Sequence, residues 1–457
     1  MSLKSNRARR TAWESGVKHC TFDPEGPGVV RIHLIPPVYR RFKRADSLAI
    51  LNGYYILPLG YTLAQLLSAF MDEVNTYDGK PMSEEEGSRI FENATKAVAK
   101  VYPHIHPDVL EEDLDALLDV IFAVARGGSP SVHVEKMSVR AYARNMAAPH
   151  RVDLMVSAMT DGEGRWQCNQ KCRFCYAAGQ NLGKTKEMTA EEWRIALDRL
   201  RQARVPMVTF TGGEPTLRPD IVELVDYARW FVTRLNTNGV ALTDELVKGL
   251  KAASLDSLQV TLYSADPTVH GELTGSDHHA DTIAGIRRAV EAGLDVSVNT
   301  PLCRANADYA STLALIHSLG VRFVTVSGLI CTGGAAEKHS QNDLTADELF
   351  RIVKAAKEFC NAHGMEMDFT SPGLIPADKL DGLGMNIPSC GACLSNMAIA
   401  PDGTVVPCQS WLGTDAALGH ILLDDWKSIW NHPECKKLRS MTDGEALSCP
   451  FRKRGGV

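Results

Sequence analysis

The chain has 457 residues, 44% of them hydrophobic and 23% charged, a balance ordinary for a globular protein with a real core and far from disordered, collagen-like or coiled-coil composition. Its length suggests roughly three units at about 150 residues per domain. The 49 basic and 55 acidic residues leave a formal charge of -6, which gives no footprint for general nucleic-acid binding.

The basic N-terminus (Lys4, Arg7, Arg9, Arg10) is not followed by the apolar segment that a secretory signal needs. The uncharged window Ser47 to Met71, behind the basic run Arg40, Arg41, Lys43 and Arg44, is interrupted by Asn52, Gly53, Pro58, Gly60 and Gln65. A membrane span would need about 20 mostly apolar residues, so the window is read as a strand over 48–57 and a core helix over 62–74, in a cytoplasmic protein without a membrane span. A helix is predicted over 108–126, with Asp108 as its cap, Glu111 completing a capping box and Gly127-Gly128 as its stop. Leu110, Leu114, Leu117, Leu118, Ile121 and Ala125 form its apolar face. These features make residues 1–147 an α+β region, either a substrate-recognition module or a cap on the barrel expected C-terminal to it.

From about residue 150 the pattern changes. Strand-like apolar runs at 152–156, 206–211, 231–235, 257–263, 294–300 and 321–327 alternate with helix-like segments at 189–203, 218–230, 243–253, 280–292 and 307–319, with another at 345–363. Repeated βα units of this length predict a parallel sheet with helices outside it. Six units are too few to close an eight-stranded barrel, so residues 148–365 are expected to form a partial (βα)6 barrel or an open sheet. After Gly364 the alternation stops, and residues 366–457 read as a small, loop-rich, Cys-rich domain with a hairpin at Pro401-Asp402-Gly403.

The twelve cysteines carry the chemical signal. A long chain without a secretion signal does not need disulfide staples, and clustered cysteines point instead to metal. Cys168, Cys172 and Cys175 lie on one short stretch just after the first strand of the βα series. Three thiolates there can hold three irons of a [4Fe–4S] cluster and leave the fourth iron open. A structural zinc site would close its fourth position instead.

The Cys-x3-Cys-x2-Cys run followed by Tyr176 resembles the signature loop of the radical S-adenosylmethionine (SAM) superfamily. Thr211-Gly212-Gly213-Glu214-Pro215, at the end of the second strand, matches that family's glycine-rich motif. The resemblance implies a cluster that binds SAM and, once reduced, cleaves it to a 5′-deoxyadenosyl radical that takes hydrogen from a substrate. It also implies SAM contacts from Tyr176, Gly212, Gly213, Glu214, Thr237, Thr261 and Asn299. For Thr237, Thr261 and Asn299 ordinary strand-end capping is the alternative. Tyr263 stands where relatives frequently carry a carboxylate.

In the tail, Cys390-Gly-Ala-Cys393 and Pro401-Asp402-Gly403-Thr-Val-Val-Pro407-Cys408 are followed by Cys435 and Cys449. This arrangement resembles the SPASM and twitch extensions of radical SAM enzymes. The five tail cysteines are fewer than a full SPASM domain carries, and Arg452-Lys453-Arg454 stands in place of the usual terminal ones. One auxiliary [4Fe–4S] cluster is therefore expected, on Cys390, Cys393, Cys408 and either Cys435 or Cys449. Zinc on the same thiolates is the competing reading, since spacing alone does not separate the two metals. Cys331 and Cys303 come after the sixth and fifth strands, and Cys331 is the first choice as hydrogen-atom donor to a substrate radical. Each has the alternative of being a small buried hydrophobe. Cys20 and Cys360 read as structural.

The resemblance implies a maturase-type oxidoreductase acting on a peptide or protein side chain, served by an electron donor such as a flavodoxin or ferredoxin. Oxidation or decarboxylation of a small metabolite or a tetrapyrrole side chain is the alternative. A non-catalytic iron–sulfur or zinc scaffold is the alternative of another class, and a SAM-consuming methyltransferase is a third.

Overall fold

A computed structural model describes residues 18–22, 30–35, 39–40, 43–44, 47–51, 55–77, 83–125, 146–161, 163–413 and 417–451. The chain divides into two compact units, Met1–Ala147 with Trp230–Val232, and Ala148–Arg229 with Thr233–Val457.

In the first unit β1 (Lys18–Phe22), β2 (Val30–Ile35), β5 (Ser47–Leu51) and β6 (Tyr55–Leu59) form an antiparallel sheet in the order β1-β2-β5-β6. A separate ribbon pairs β3 (Tyr39–Arg40) with β4 (Lys43–Arg44). Period-two alternation puts Ile32, Leu34, Ala49 and Leu51 into one core. Among the described residues three helices pack on it, α1 (Tyr61–Asn75), α2 (Glu84–Val101) and α3 (Pro107–Ala125). They contribute Leu66, Leu67, Phe70, Ile90, Val98, Leu110, Leu114 and Ile121, each buried large side chain being worth about 1.5–3 kcal/mol against exposure.

Three expectations change here. The strand-like run 48–57 is two paired strands, because residues 52–54 fall between β5 and β6. Helix α2, which the sequence reading missed, starts with a capping box of Ser83 and Glu86. Helix α3 begins at Pro107, not at an Asp108 cap. A proline suits the first helical position, whose N–H has no partner within the helix, and the Asp108 N–H meets His106 Nδ1 at 3.4 Å. Gly127-Gly128 lies outside the described residues. Among the described residues no helix is long and apolar enough to cross a membrane.

The second unit is built on a ten-stranded sheet in the order β13-β12-β11-β10-β9-β8-β7-β14-β15-β16. Its strands are β7 (Arg151–Ser157), β8 (Met207–Gly212), β9 (Val232–Thr237), β10 (Ser257–Thr261), β11 (Val296–Leu302), β12 (Phe323–Gly328), β13 (Glu366–Phe369), β14 (Asn396–Ile399), β15 (Thr404–Val406) and β16 (Gly419–His420). Parallel pairing joins β7 to β8 and runs from β9 through β13. The six predicted strands and the helices between them are all found. The helices are α4 (Ala190–Gln202), α5 (Ile221–Tyr227), α6 (Asp244–Ala252), α7 (Pro267–Thr274), α8 (His279–Glu291), α9 (Tyr309–Ser318), α10 (Gly334–Asn342) and α11 (Ala346–Ala362). In β10 the fully buried Leu258 and Val260 alternate with the half-buried Gln259 and Thr261, so the strand keeps an apolar face and a polar one.

The tail is less separate than its composition suggests. β13 extends the parallel sheet past Gly364, and β14 pairs in parallel with β7 on the other side. The hairpin at Asp402-Gly403 turns β14 back into β15, with Gly403 at φ +95°. Four short helices remain, α12 (Ala377–Asp381), α13 (Trp426–Trp430), α14 (Pro433–Arg439) and α15 (Asp443–Ala446).

Candidate iron–sulfur and SAM site

Cys168, Cys172 and Cys175 lie on the loop after β7, at the end of the parallel strands where sites of such sheets form. All three are free, half-buried thiols. Burial pushes the Cys168 thiol up to about 12, with Glu214 and Cys175 adding to the rise. Burial also raises Cys172, helped by Cys175 and Cys168. Cys175 is raised by burial as well. Three half-buried thiols on one loop, each raised by desolvation, want a cationic partner to become thiolates. Among the described residues no three His, Cys, Asp or Glu side chains form a group able to hold a metal ion. A cluster suits such a loop, because its thiolates bind separate irons.

Backbone contacts hold this loop from two sides, and the sequence reading missed both. The Lys171 and Arg173 N–H groups donate to the carbonyls of Thr274 and Leu273, both at 2.8 Å, at the C-terminus of α7. Gly275 ends that helix at φ +62°, and a Cβ there would lie 2.9 Å from the Lys171 carbonyl oxygen. Opposite, the Gly334 N–H donates to the Cys175 carbonyl at 2.9 Å. A Cβ on Gly333 (φ +54°) would overlap the carbonyl oxygens of both Cys175 and Tyr176. The only sequence signal was the Gly-Gly pair after Cys331, which reads as an ordinary turn.

The predicted SAM-contact residues fall into two groups. Gly212 (φ +135°) and Gly213 are glycines because β7 passes close by: added Cβ atoms would strike backbone atoms of Ser157 and Ala158. The Gly213 N–H is taken by the Ser157 carbonyl at 2.9 Å, whereas its own carbonyl stands 3.5 Å from Cys168 Sγ. Glu214, almost fully buried, accepts from the Thr216 and Asn238 N–H groups and from the Thr237 hydroxyl at 2.7 Å. Burial raises its pKa against those hydrogen bonds. The Thr237 hydroxyl also accepts from the Gly239 N–H. Glu214 and Thr237 thus brace each other across the ends of β8 and β9, and the Asn238 amide donates to Asn169 in the cysteine loop at 2.6 Å.

Thr261, Asn299 and Tyr176 make up the second group. Thr261 and Asn299 are register partners on β10 and β11, both half-buried. Asn299 Oδ1 accepts from the Thr325 hydroxyl at 2.9 Å, and Gln259 reaches the same hydroxyl at 3.4 Å. Tyr176 lies 3.5 Å from the Thr211 hydroxyl, and burial pushes its phenol up. Tyr263 packs with Phe174, Cys303, Leu273 and Cys172 against the loop.

Cys331 is half-buried, directly ahead of the Gly333-Gly334 brace, and its thiol is raised to about 11, chiefly by burial. Cys303 is fully buried and packs with Phe174 and Tyr263, which is the placement of a core residue. Cys360 is likewise fully buried, and the side chain of Cys20 lies outside the described residues.

The tail cysteines gather around the β14–β15 hairpin. Cys393 sits in a left-handed conformation (φ +59°), which a non-glycine residue adopts at a cost of about 1–3 kcal/mol, and its N–H bonds the Pro407 carbonyl at 3.1 Å. This brings Cys393 beside the residue that precedes Cys408. Cys393 hydrogen-bonds Cys435, while Cys408 is raised to about 12 by burial, with contributions from Cys390 and Cys449. The Cys390 N–H reaches the Ala446 carbonyl at 2.6 Å, which draws α15 and the Cys449 segment in. Arg452-Lys453-Arg454 lies outside the described residues.

Residues 167–316 match the model of the radical SAM superfamily, and residues 390–450 match that of SPASM, an iron–sulfur cluster-binding domain. The chain carries a radical SAM domain followed by a SPASM domain. These domains imply a [4Fe–4S] cluster with SAM and auxiliary iron–sulfur in the tail. The chain is 27% identical over 252 residues to the PqqA peptide cyclase of Streptomyces rochei, covering 53% of this chain and 67% of that one. It is 26% identical over 304 residues to the AdoMet-dependent heme synthase of Methanosarcina barkeri, covering 63% and 86%. Its fold is similar to that of Streptococcus suis SuiB solved with S-adenosylmethionine, with a TM-score of 0.58 at 17% identity, over 91% of this chain and 93% of that one.

Proposed function

We propose that this radical SAM enzyme modifies a side chain of a peptide or protein substrate. In that reading Cys168, Cys172 and Cys175 ligate the cluster that binds SAM, and Cys390, Cys393 and Cys408 ligate one auxiliary cluster with either Cys435 or Cys449; the hydrogen bond between Cys393 and Cys435 favours Cys435. Cluster and SAM together supply a substrate-directed 5′-deoxyadenosyl radical, and the chain supplies position and shielding. The Gly213 carbonyl, 3.5 Å from Cys168 Sγ, would accept from the SAM ammonium. Tyr176 closes the apolar side near the adenine, and Thr261 and Asn299 offer hydroxyl and amide groups along the polar face of the sheet. The Glu214–Thr237 brace keeps the glycine turn in shape. Cys331, raised to about 11, keeps its S–H at neutral pH, the state a hydrogen-atom donor needs. A flavodoxin or ferredoxin is the expected reductant.

The observation that carries the peptide reading is the N-terminal unit, a self-contained sheet and three-helix module with its own core ahead of the barrel. Among the described residues β1 is the edge strand of its sheet, the position from which an extended chain could be taken up by strand addition. The likeness to a peptide cyclase supports the same reading. The likeness to a heme synthase, over 86% of that protein, favours a second one, oxidation or decarboxylation of a tetrapyrrole side chain.

The test is anaerobic formation of 5′-deoxyadenosine from SAM under dithionite, alone, with a synthetic peptide pool, or with a metabolite pool containing porphyrins. Stimulation and a mass change in the peptide pool support the proposal. A response confined to porphyrins replaces it with the second reading. No 5′-deoxyadenosine from a cluster-replete chain in any pool brings the non-catalytic scaffold forward.

A further inference from the structure

Helix α14 carries Cys435 and Arg439 one turn apart, so both project from the same side. Arg439 Nη1 lies 2.8 Å from Cys435 Sγ and 2.8 Å from the Trp430 carbonyl oxygen. Its guanidinium carbon stands 3.8 Å from the centre of the Trp430 ring, within cation–π range. Cys435 is fully buried and Trp430 nearly so. The arginine is therefore held by a stacking face and a carbonyl, with one N–H directed at a single desolvated sulfur.

We propose that Arg439 is a positioning residue that raises the reduction potential of the auxiliary cluster through its hydrogen bond and charge on Cys435. The inference rests on the reading above that Cys435 is a ligand of that cluster. Hydrogen bonds to the sulfurs of an iron–sulfur cluster and positive charge nearby both favour its reduced, more negative state. In water such a contact would be weak; against a buried sulfur it is strong, because little solvent screens it. Trp430 fixes the guanidinium plane, so lysine keeps the charge but loses the stacked, forked geometry.

The experiment is an EPR-monitored redox titration of the full chain carrying Cys168, Cys172 and Cys175→Ala, so that only the auxiliary cluster is read. Arg439→Gln and Arg439→Lys are compared with Arg439, each with its iron and sulfide counted, and Cys435→Ala serves as the ligand control. The expected result is unchanged iron in both arginine variants, with the midpoint moved to more negative potential in Arg439→Gln and to an intermediate value in Arg439→Lys. An unchanged midpoint in Arg439→Gln at full iron overturns the role of Arg439, as does an equal shift in the two variants. Loss of iron from Arg439→Gln but not from Arg439→Lys also overturns it, because the residue would then be needed for assembly. Full iron and an unaltered signal in Cys435→Ala overturn the ligand reading instead, and so separate that failure from the other.

Discussion

The two cysteine groups of this protein are assembled in opposite ways. The first is contiguous: three thiols within eight residues, on a loop whose backbone is gripped by the end of α7 and by Gly333-Gly334. The second is scattered over 60 residues and exists only because β14 joins the barrel sheet, turns at Gly403 and draws α14 and the Cys449 segment against the hairpin. A short loop fixes the relative positions of its own thiols but needs neighbours to fix its shape. A dispersed set gets its shape from the fold and needs the whole tail to be present.

The largest expected effect tests whether the two groups are independent. Replacing Cys168, Cys172 and Cys175 by Ala should abolish 5′-deoxyadenosine formation and remove the iron of the first site only. Replacing Cys390, Cys393 and Cys408 should remove the tail iron and spare the first, as read by iron counts and EPR. Loss of both clusters in either variant would mean that the two regions fold as one.

The brace on the first loop comes next. Gly333→Ala places a methyl group into two carbonyl oxygens at a positive φ, a strain of about 1–2 kcal/mol before any clash is counted. It should lower occupancy of the SAM cluster severalfold while leaving tail iron alone. Gly384→Ala, also at positive φ (+64°) but with open space around it, should leave both clusters intact and lower the melting temperature only slightly.

Cys331→Ala separates donor from scaffold. Under the proposed reading, 5′-deoxyadenosine still forms but the ratio of product to 5′-deoxyadenosine falls severalfold. Cys303→Ala, in a fully buried site, should change stability rather than that ratio.

The smallest effect lies at neither cluster. Asp295, an exposed residue in the turn before β11, is raised from 3.8 to about 6, chiefly by desolvation from its neighbours, with Asp256 and Glu366 adding to the rise and Arg234 and Arg322 opposing it. A folded pKa above the unfolded one means that the folded state prefers the neutral acid. Stability is therefore lost as pH rises from about 4 through about 6. Asp295→Asn should raise stability slightly at pH 8, because water screens this exposed side chain, and change little at pH 4. His150 has the opposite slope: burial and the charges of Arg151 and Arg234 lower it to about 4, so its contribution is lost as pH falls from 6.5 through 4. Denaturation curves at pH 4, 6 and 8 read both, and the cluster contents should not change with them.

Much of the barrel was legible because each βα unit is local. Strand β8, for example, is all but fully buried, and its run of apolar residues ends at the glycines. The N-terminal unit was harder, since a hairpin and a single strand share the same apolar composition until pairing separates β5 from β6. Helix α7 escaped notice because its short sequence, with Gly271 inside it, gives weak periodicity. The roles of Glu214 and Thr237 were half legible. Their motif marks a site, but only packing shows that their polar atoms are turned on each other.

By itself the sequence determined the chemistry of the first site, the βα order and the hairpin at Asp402-Gly403, because each depends on residues close together in the chain. Tertiary structure alone decided that the tail continues the barrel sheet, that two glycine turns grip the cysteine loop, and that Arg439 meets Cys435 on one face of α14 beneath Trp430. Those depend on which surfaces are buried together, and burial sets the strength of every polar contact at both sites.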